Sequence, residues 1–234
     1  MRTPPRLILA LDVPTAVQAL SLVDQFEGRC DFYKVGLELF TAAGPSLIAS
    51  LRARNVDVFL DLKLHDIPNT VRQAARQASA HDVRLLTVHA SGGEAMLAAA
   101  VDGAGPGCGI MAVTVLTSLA PEELAAAWGR GPWIDVRAEV LRLATLADEA
   151  GAHGIVCSGA ELEAVGEKFE GRLAPLVPGV RPLGAASNDQ VRIVTPETAT
   201  ALGARYLVLG RAVTGAAAPL QAWDDIARSV AAVV

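Results

Sequence analysis

The chain has 234 residues and 52% of them are hydrophobic, which suits one large α/β domain with a sizeable core and excludes a disordered chain. A formal net charge of −5 and a pI of about 5.4, with no basic run, speak against a nucleic-acid or anionic-membrane partner. The opening MRTPPRLILALDV lacks the apolar length and cleavage pattern of a signal peptide, and no run of about 18 apolar residues predicts a membrane span.

RLILALD (6–12) reads as a buried strand and PTAVQALSLVDQFEG (14–28) as an amphipathic helix. DFYKVGLEL (31–39) predicts a second strand, with a helix near 44–54. VDVFLDLK (56–63) is the third strand and PNTVRQAARQASAHD (68–82) its helix. VRLLTVHA (83–90) precedes the helical GGEAMLAAAVDG (92–103). GIMAVTVL (109–116) precedes helices that start near Pro121 and Asp135. GAHGIVCSG (151–159) and ELEAVGEKF (161–169) make the sixth pair. LAPLVPGV (173–180) is a weak seventh strand with TPETATALG (195–203) as its helix. RYLVLGRAV (205–213) is the eighth, and a last helix runs to about Val233. Eight such units in succession, with little left over, predict a (β/α)8 barrel forming a single domain over residues 1–234. The alternative is an open doubly wound sheet. It would usually carry a glycine-rich dinucleotide loop after the first strand, where this chain has LALDVPT.

The third strand holds an anomaly. FLDLKLHD is apolar in frame, yet it carries Asp61, Lys63 and Asp66. A charge removed from water costs several kcal/mol unless it is paired. Strand side chains alternate, so Phe59, Asp61 and Lys63 share one face while Leu60, Leu62 and Leu64 share the other. The leucines suit the surrounding helices, which sends the charges into the barrel. By the same count Lys34, Gly36 and Glu38 face inward from the second strand, Asp12 from the first, and Thr87 and His89 from the fourth. Four neighbouring strands thus aim polar groups inward near their C-terminal ends, the barrel face that carries active sites.

Of the 20 basic side chains only Lys34, Lys63 and Lys168 are lysine. A chain that uses arginine as its generic cation has a chemical reason for lysine inside a strand, although Lys168 on a helix shows the habit is not absolute. The three cysteines, Cys30, Cys108 and Cys157, are odd in number and widely spaced, and they read as reduced thiols of a cytoplasmic protein. Taken singly, each polar residue has a plainer role. Asp66 before Ile67-Pro68 is a fair helix cap, and Asp12 could cap the first helix. Lys34 with Asp61 could be a structural ion pair. His65 and His89 read as loop or rim histidines, and Arg211 as a surface arginine. The plain roles do not explain why all these charges fall on one face, at one end, of adjacent strands.

LALDVP, YKVGLELF, FLDLKLHDIPNTV, LLTVHASGG, VTVLTS, VPGVRP, NDQVRIVTP and LVLGRAVT, in this order, resemble the segments of the orotidine 5′-phosphate decarboxylase family of bacterial type. The resemblance spans nearly the whole chain; its departure is the alanine-rich PLGAASN (182–188). It implies loss of CO2 from orotidine 5′-monophosphate to give UMP in de novo pyrimidine synthesis, with no cofactor and no metal. It implies a homodimer in which Asp66 and Thr70 reach into the neighbour's site. By motif, Lys34, Asp61, Lys63 and Asp66 would form the charged network, with Lys63 the proton donor. Asp12 and Thr70 would meet the ribose, and Thr117 or Ser118 the pyrimidine. Arg181, Gln190, Gly210 and Arg211 would hold the phosphate, under a lid at 181–190.

Such chemistry needs preorganised charge rather than an electron sink. An ammonium at Lys63 can stabilise a carbanion at C6 of the pyrimidine and then protonate it, which arginine cannot do. Asp61 would repel the substrate carboxylate, a secondary effect. Two rivals remain at this stage. One is a magnesium-dependent 3-keto sugar-phosphate decarboxylase or aldol-type lyase of the same barrel, which would want a carboxylate where Lys34 stands. The other is a non-catalytic phosphate-ligand binding barrel, which would need no Lys–Asp array.

Overall fold

The computed structural model describes residues 3–131, 133–182 and 194–234. The predicted alternation is present as β1 (Arg6–Ala10), β2 (Phe32–Gly36), β3 (Asp57–Leu64), β4 (Leu85–His89), β5 (Gly109–Val113), β6 (Gly154–Val156), β7 (Ala174–Val177) and β8 (Tyr206–Leu209). Each strand pairs in parallel with the next, and β1 also pairs with β8 from Arg6↔Tyr206 to Leu9↔Leu209. The sheet therefore closes into a (β/α)8 barrel, and its eight described strands leave no open edge to recruit another chain. The outer layer comprises α1 (Ala16–Gln25), α2 (Leu37–Arg52), α3 (Pro68–Ala80), α4 (Glu94–Ala104), α5 (Pro121–Ala127), α6 (Val136–Glu149), α7 (Leu162–Phe169), α8 (Pro196–Ala201), α9 (Arg211–Thr214) and α10 (Pro219–Ala231). No helix among the described residues is long and apolar enough to cross a membrane.

The period of two along each strand makes two cores. Outward residues such as Leu9, Tyr33, Val35, Leu60 and Leu86 pack against the helices. Inward residues, among them Ile8, Phe32, Phe59, Leu85, Met111, Leu176 and Val208, fill the lumen. Each buried side chain of this size contributes about 1.5–3 kcal/mol. Arg6 closes the N-terminal end, its guanidinium 4.5 Å from the Phe32 ring and 2.7 Å from Asp57. Tyr206 hydroxyl hydrogen-bonds His153 Nε2 at 2.9 Å beside it. With the lumen plugged by apolar side chains from that end, inward polar groups have room at the C-terminal mouth.

Several boundaries differ from the sequence expectation. β2 stops at Gly36 and α2 starts at Leu37, so Glu38 is not an inward strand residue; it lies exposed in the first turn of α2, where a carboxylate suits the positive end of the helix. The expected helix at 44–54 is the second half of α2, which bends at Gly44 (φ 61°, ψ −162°) and Pro45. β5 ends at Val113, leaving 114–116 in the loop that enters the site. Asp12 caps nothing: Thr15 Oγ1 accepts the Gln18 N–H at 3.3 Å and starts α1. Asp66 is not the cap of α3 either, since that position is Ile67. α3 in turn packs closely on α4, because Gly103 leaves space where any side chain would meet the Arg72 carbonyl at 2.2 Å.

The three cysteines are buried, at 6%, 3% and 1% exposure for Cys30, Cys108 and Cys157. Burial pushes the Cys30 thiol up to about 11 and the Cys108 thiol up to about 12. Thiolate is the reactive form. Titration of the native protein with Ellman's reagent at pH 8 is therefore expected to find no fast thiol, and three after denaturation. A fast-reacting cysteine in the folded protein would contradict this packing.

Candidate active site

β3 builds the centre of the site, and it does so with an irregular backbone. Its register against β4 runs Phe59↔Leu85 and Leu60↔Leu86, then jumps to Leu64↔Val88, a bulge. Lys63 lies inside the bulge with φ of 50°, a left-handed conformation that is uncommon for a residue other than glycine. Such strain costs on the order of 1–3 kcal/mol and persists where neighbours enforce it. Here the Lys63 N–H donates to Thr87 Oγ1 at 2.8 Å.

The charges alternate around the mouth. Lys34 Nζ lies 3.0 Å from Asp12 Oδ1 and 3.7 Å from Asp61 Oδ2, and Lys63 Nζ lies 2.8 Å from Asp61 Oδ1. The Lys34 and Asp61 side chains are only 12% and 13% exposed, against 60% for Asp12. An ion pair with so exposed a partner is worth about 1 kcal/mol at most. Removing a partner from a buried carboxylate costs about 3–5 kcal/mol. Asp61 is therefore the residue that holds the two lysines together. Gly36 makes room for Lys34: a Cβ there would stand 3.1 Å from its Nζ.

The array forms one wall of a cleft of about 350 Å³, a volume in the range of small-ligand sites. Thr117 and Ser118, from the loop after β5, and Arg181, Gly210 and Arg211, which follow β7 and β8, line the same cleft. The floor is the lumen core, with Phe59, Leu176 and Val208. Arg181 is 6% exposed, and its Nε has no hydrogen-bond partner among the described residues. Burial first, and then the guanidinium of Arg211, push it below its ordinary pKa. A buried cation disfavoured by a like charge is a seat for an anion.

Two expected site residues stand apart from this cleft. Asp66 and Thr70 are exposed at the start of α3, and neither lines the cleft of its own chain. Asp66 Oδ1 accepts the neighbouring Ile67 N–H at 2.6 Å. Gln190 lies outside the described residues, as does most of the expected lid. His89 is half-buried with its ring 5.6 Å from His65. Burial, then His65 and Lys63, push its pKa below the ordinary imidazole value.

Thr87 touches this array, and the sequence pattern alone assigned it no role. It is 1% exposed, and its hydroxyl donates to Asp61 Oδ1 at 3.0 Å while accepting from Lys63. A threonine within an apolar strand looks like any β-branched filler; only its inward parity marked it. As for metal binding, no group of three His, Cys, Asp or Glu residues among those described is placed to hold an ion. The Asp12 and Asp61 carboxylates are both engaged by lysine ammoniums.

Residues 5–226 match the family model described as Orotidine 5′-phosphate decarboxylase / HUMPS family. A Halorhodospira halophila protein named orotidine 5′-phosphate decarboxylase is 49% identical over 232 residues, covering 98% of this chain and 97% of that relative. An Anaeromyxobacter protein (strain K) of the same name is 48% identical, covering 99% of each. The crystal structure of orotidine 5′-phosphate decarboxylase from Lactobacillus acidophilus aligns with a TM-score of 0.84 at 33% identity, over 97% of this chain and 99% of that one. With the barrel, the Lys–Asp array and full-length similarity in agreement, the chain belongs to the orotidine 5′-phosphate decarboxylase / HUMPS family.

Proposed function

We propose that the chain decarboxylates orotidine 5′-monophosphate to UMP and CO2 in pyrimidine biosynthesis, with Asp12, Lys34, Asp61 and Lys63 as its charged centre. The observation that carries this reading is the position of Lys63, whose ammonium is paired with a buried carboxylate and opens onto a nucleotide-sized cleft. Two arginines line that same cleft.

In this reading Arg181 and Arg211 grip the 5′-phosphate, with Gly210 beside it and Gln190 from the adjoining segment. Thr117 and Ser118 meet the pyrimidine, and Asp12 and Lys34 meet the ribose. The C6 carboxylate then lies toward Asp61. As the C–CO2 bond breaks, its electron pair stays on C6, and the nearby Lys63 ammonium stabilises that charge. Lys63 then transfers one proton to C6, giving UMP and a neutral amine. Repulsion between Asp61 and the substrate carboxylate disappears as CO2 leaves, a smaller effect. The phosphate grip, remote from C6, supplies binding energy that holds the reacting carbon against the array.

The functional unit in this reading is a cytoplasmic homodimer of single-domain chains, each lending Asp66 and Thr70 to the other's site. Their exposure at the start of α3, away from their own cleft, supports it. So does Ile67 beside them, an apolar side chain left 67% exposed.

A metal-dependent lyase on the same barrel would need its ion where Lys34 Nζ stands 3.7 Å from Asp61. Consumption of orotidine 5′-monophosphate, followed by absorbance in excess EDTA, is expected to match the rate without chelator. Activity lost in EDTA and regained with Mg2+ would favour the metal-dependent lyase, and no consumption under either condition would sink the decarboxylase reading.

A further inference from the structure

We infer that Thr87 is a positioning residue of the reaction, a hydroxyl that sets both the Asp61 carboxylate and the Lys63 backbone in their working geometry. The inference rests on the decarboxylase reading above. Thr87 lies on β4, opposite Met111 of β5, with its side chain in the barrel between the apolar plug and the charged mouth. At 1% exposure it is shut off from solvent and is not part of the cleft lining.

Its single oxygen does two things at once. As donor it binds Asp61 Oδ1 at 3.0 Å, the same oxygen that Lys63 Nζ meets at 2.8 Å. The other oxygen, Oδ2, is thereby turned toward Lys34 Nζ. As acceptor it takes the Lys63 N–H at 2.8 Å, across the bulge where Lys63 has its φ of 50°. A hydroxyl can donate one hydrogen bond and accept others, so it serves both partners together; a methyl in its place serves neither. Without it, the Lys63 amide loses its acceptor and Asp61 loses the donor that fixes its rotation. The left-handed turn then loses a tether, and the ammonium can move away from the reacting carbon. Small displacements of a proton donor weaken transition-state contacts more than ground-state binding. Arg181 and Arg211 follow β7 and β8, three and four strands around the barrel from Thr87, so the phosphate grip should be little affected.

The test compares wild type, Thr87→Val, which keeps the shape, and Thr87→Ser, which keeps the hydroxyl. Steady-state turnover of orotidine 5′-monophosphate gives kcat and KM, and calorimetry with UMP gives product affinity. The valine variant is expected to lose about 10- to 100-fold in kcat, as loss of a hydrogen bond to a charged group predicts, with KM and UMP affinity changed less than about 3-fold. Serine is expected to restore kcat to within about 3-fold of wild type. A valine variant with kcat within about 3-fold of wild type would overturn the inference. So would a serine variant as slow as valine, since volume rather than the hydroxyl would then matter. A loss confined to KM and UMP affinity would also overturn it. If the valine variant does not fold, Thr87→Ala replaces it in the same comparison with serine. Failure of the decarboxylase reading looks different, because wild type itself would then not turn over the substrate.

Discussion

Lys63→Ala is expected to lose at least about 10⁴-fold in kcat while keeping UMP affinity within about 10-fold. The magnitude combines two losses: a positioned general acid supplies roughly 10²–10⁴-fold, and a preorganised charge at the developing anion about 10²–10³-fold. The protein should still fold. Asp61 keeps the Thr87 hydroxyl at 3.0 Å and Lys34 at 3.7 Å, so its carboxylate is not stranded. Product affinity should persist because the arginines proposed to grip the phosphate follow β7 and β8, at least three strands around the barrel from β3. Lys63→Arg is the sharper companion. It restores the positive charge but presents a proton that is effectively not transferable. If Lys63 acts by charge alone, arginine rescues much of the activity; if it delivers the proton to C6, arginine stays near alanine. Turnover of the alanine variant within about 10-fold of wild type would remove Lys63 from the chemistry and favour a ligand-binding barrel. Calorimetry with UMP on each variant separates a lost reaction from a lost site.

The residues on which that test depends were legible in the sequence because two periodicities coincided. Eight alternations fixed the closed barrel, and the period of two in VDVFLDLK put Asp61 and Lys63 on its inner face. The structure agrees, with Phe59 in the lumen core and Leu60 against the helices. Strand ends were harder to read. LEL after Gly36 continues the alternation of β2, yet it is the first turn of α2, because an apolar residue every second position for three residues fits either structure. The left-handed Lys63 had no signal at all. Glycine or asparagine announces a positive φ, whereas a lysine held there depends on a partner 24 positions away, Thr87. Asp12 and Asp66 show the same limit differently. Each sits where an aspartate commonly caps a helix, and only the backbone distinguishes a cap from a side chain left available for the site.

Asp66 leads to the other large effect. Alone, Lys63→Ala and Asp66→Asn are both expected to be nearly inactive, with Asp66→Asn losing at least about 10²-fold because a charge is removed while the shape is kept. Mixed, dissociated and reassociated, the two chains should regain activity. In a twofold dimer each site would take Lys63 from one chain and Asp66 from the other. A hybrid therefore contains one site with both native residues and one with neither. Random pairing in equal amounts makes half the dimers hybrid, so recovery should approach about a quarter of wild-type activity. The geometry within one chain favours this outcome over a self-contained site. The Asp66 carboxylate turns back to the Ile67 N–H at 2.6 Å instead of entering its own cleft, and Ile67 is 67% exposed beside it. A contact that covers Ile67 would bring Asp66 up to a neighbour with it. Native mass spectrometry of the mixture reports whether hybrids have formed. Hybrids present without recovered turnover would mean that each barrel completes its own site, and Asp66 would then have to reach Lys63 by moving within its own loop.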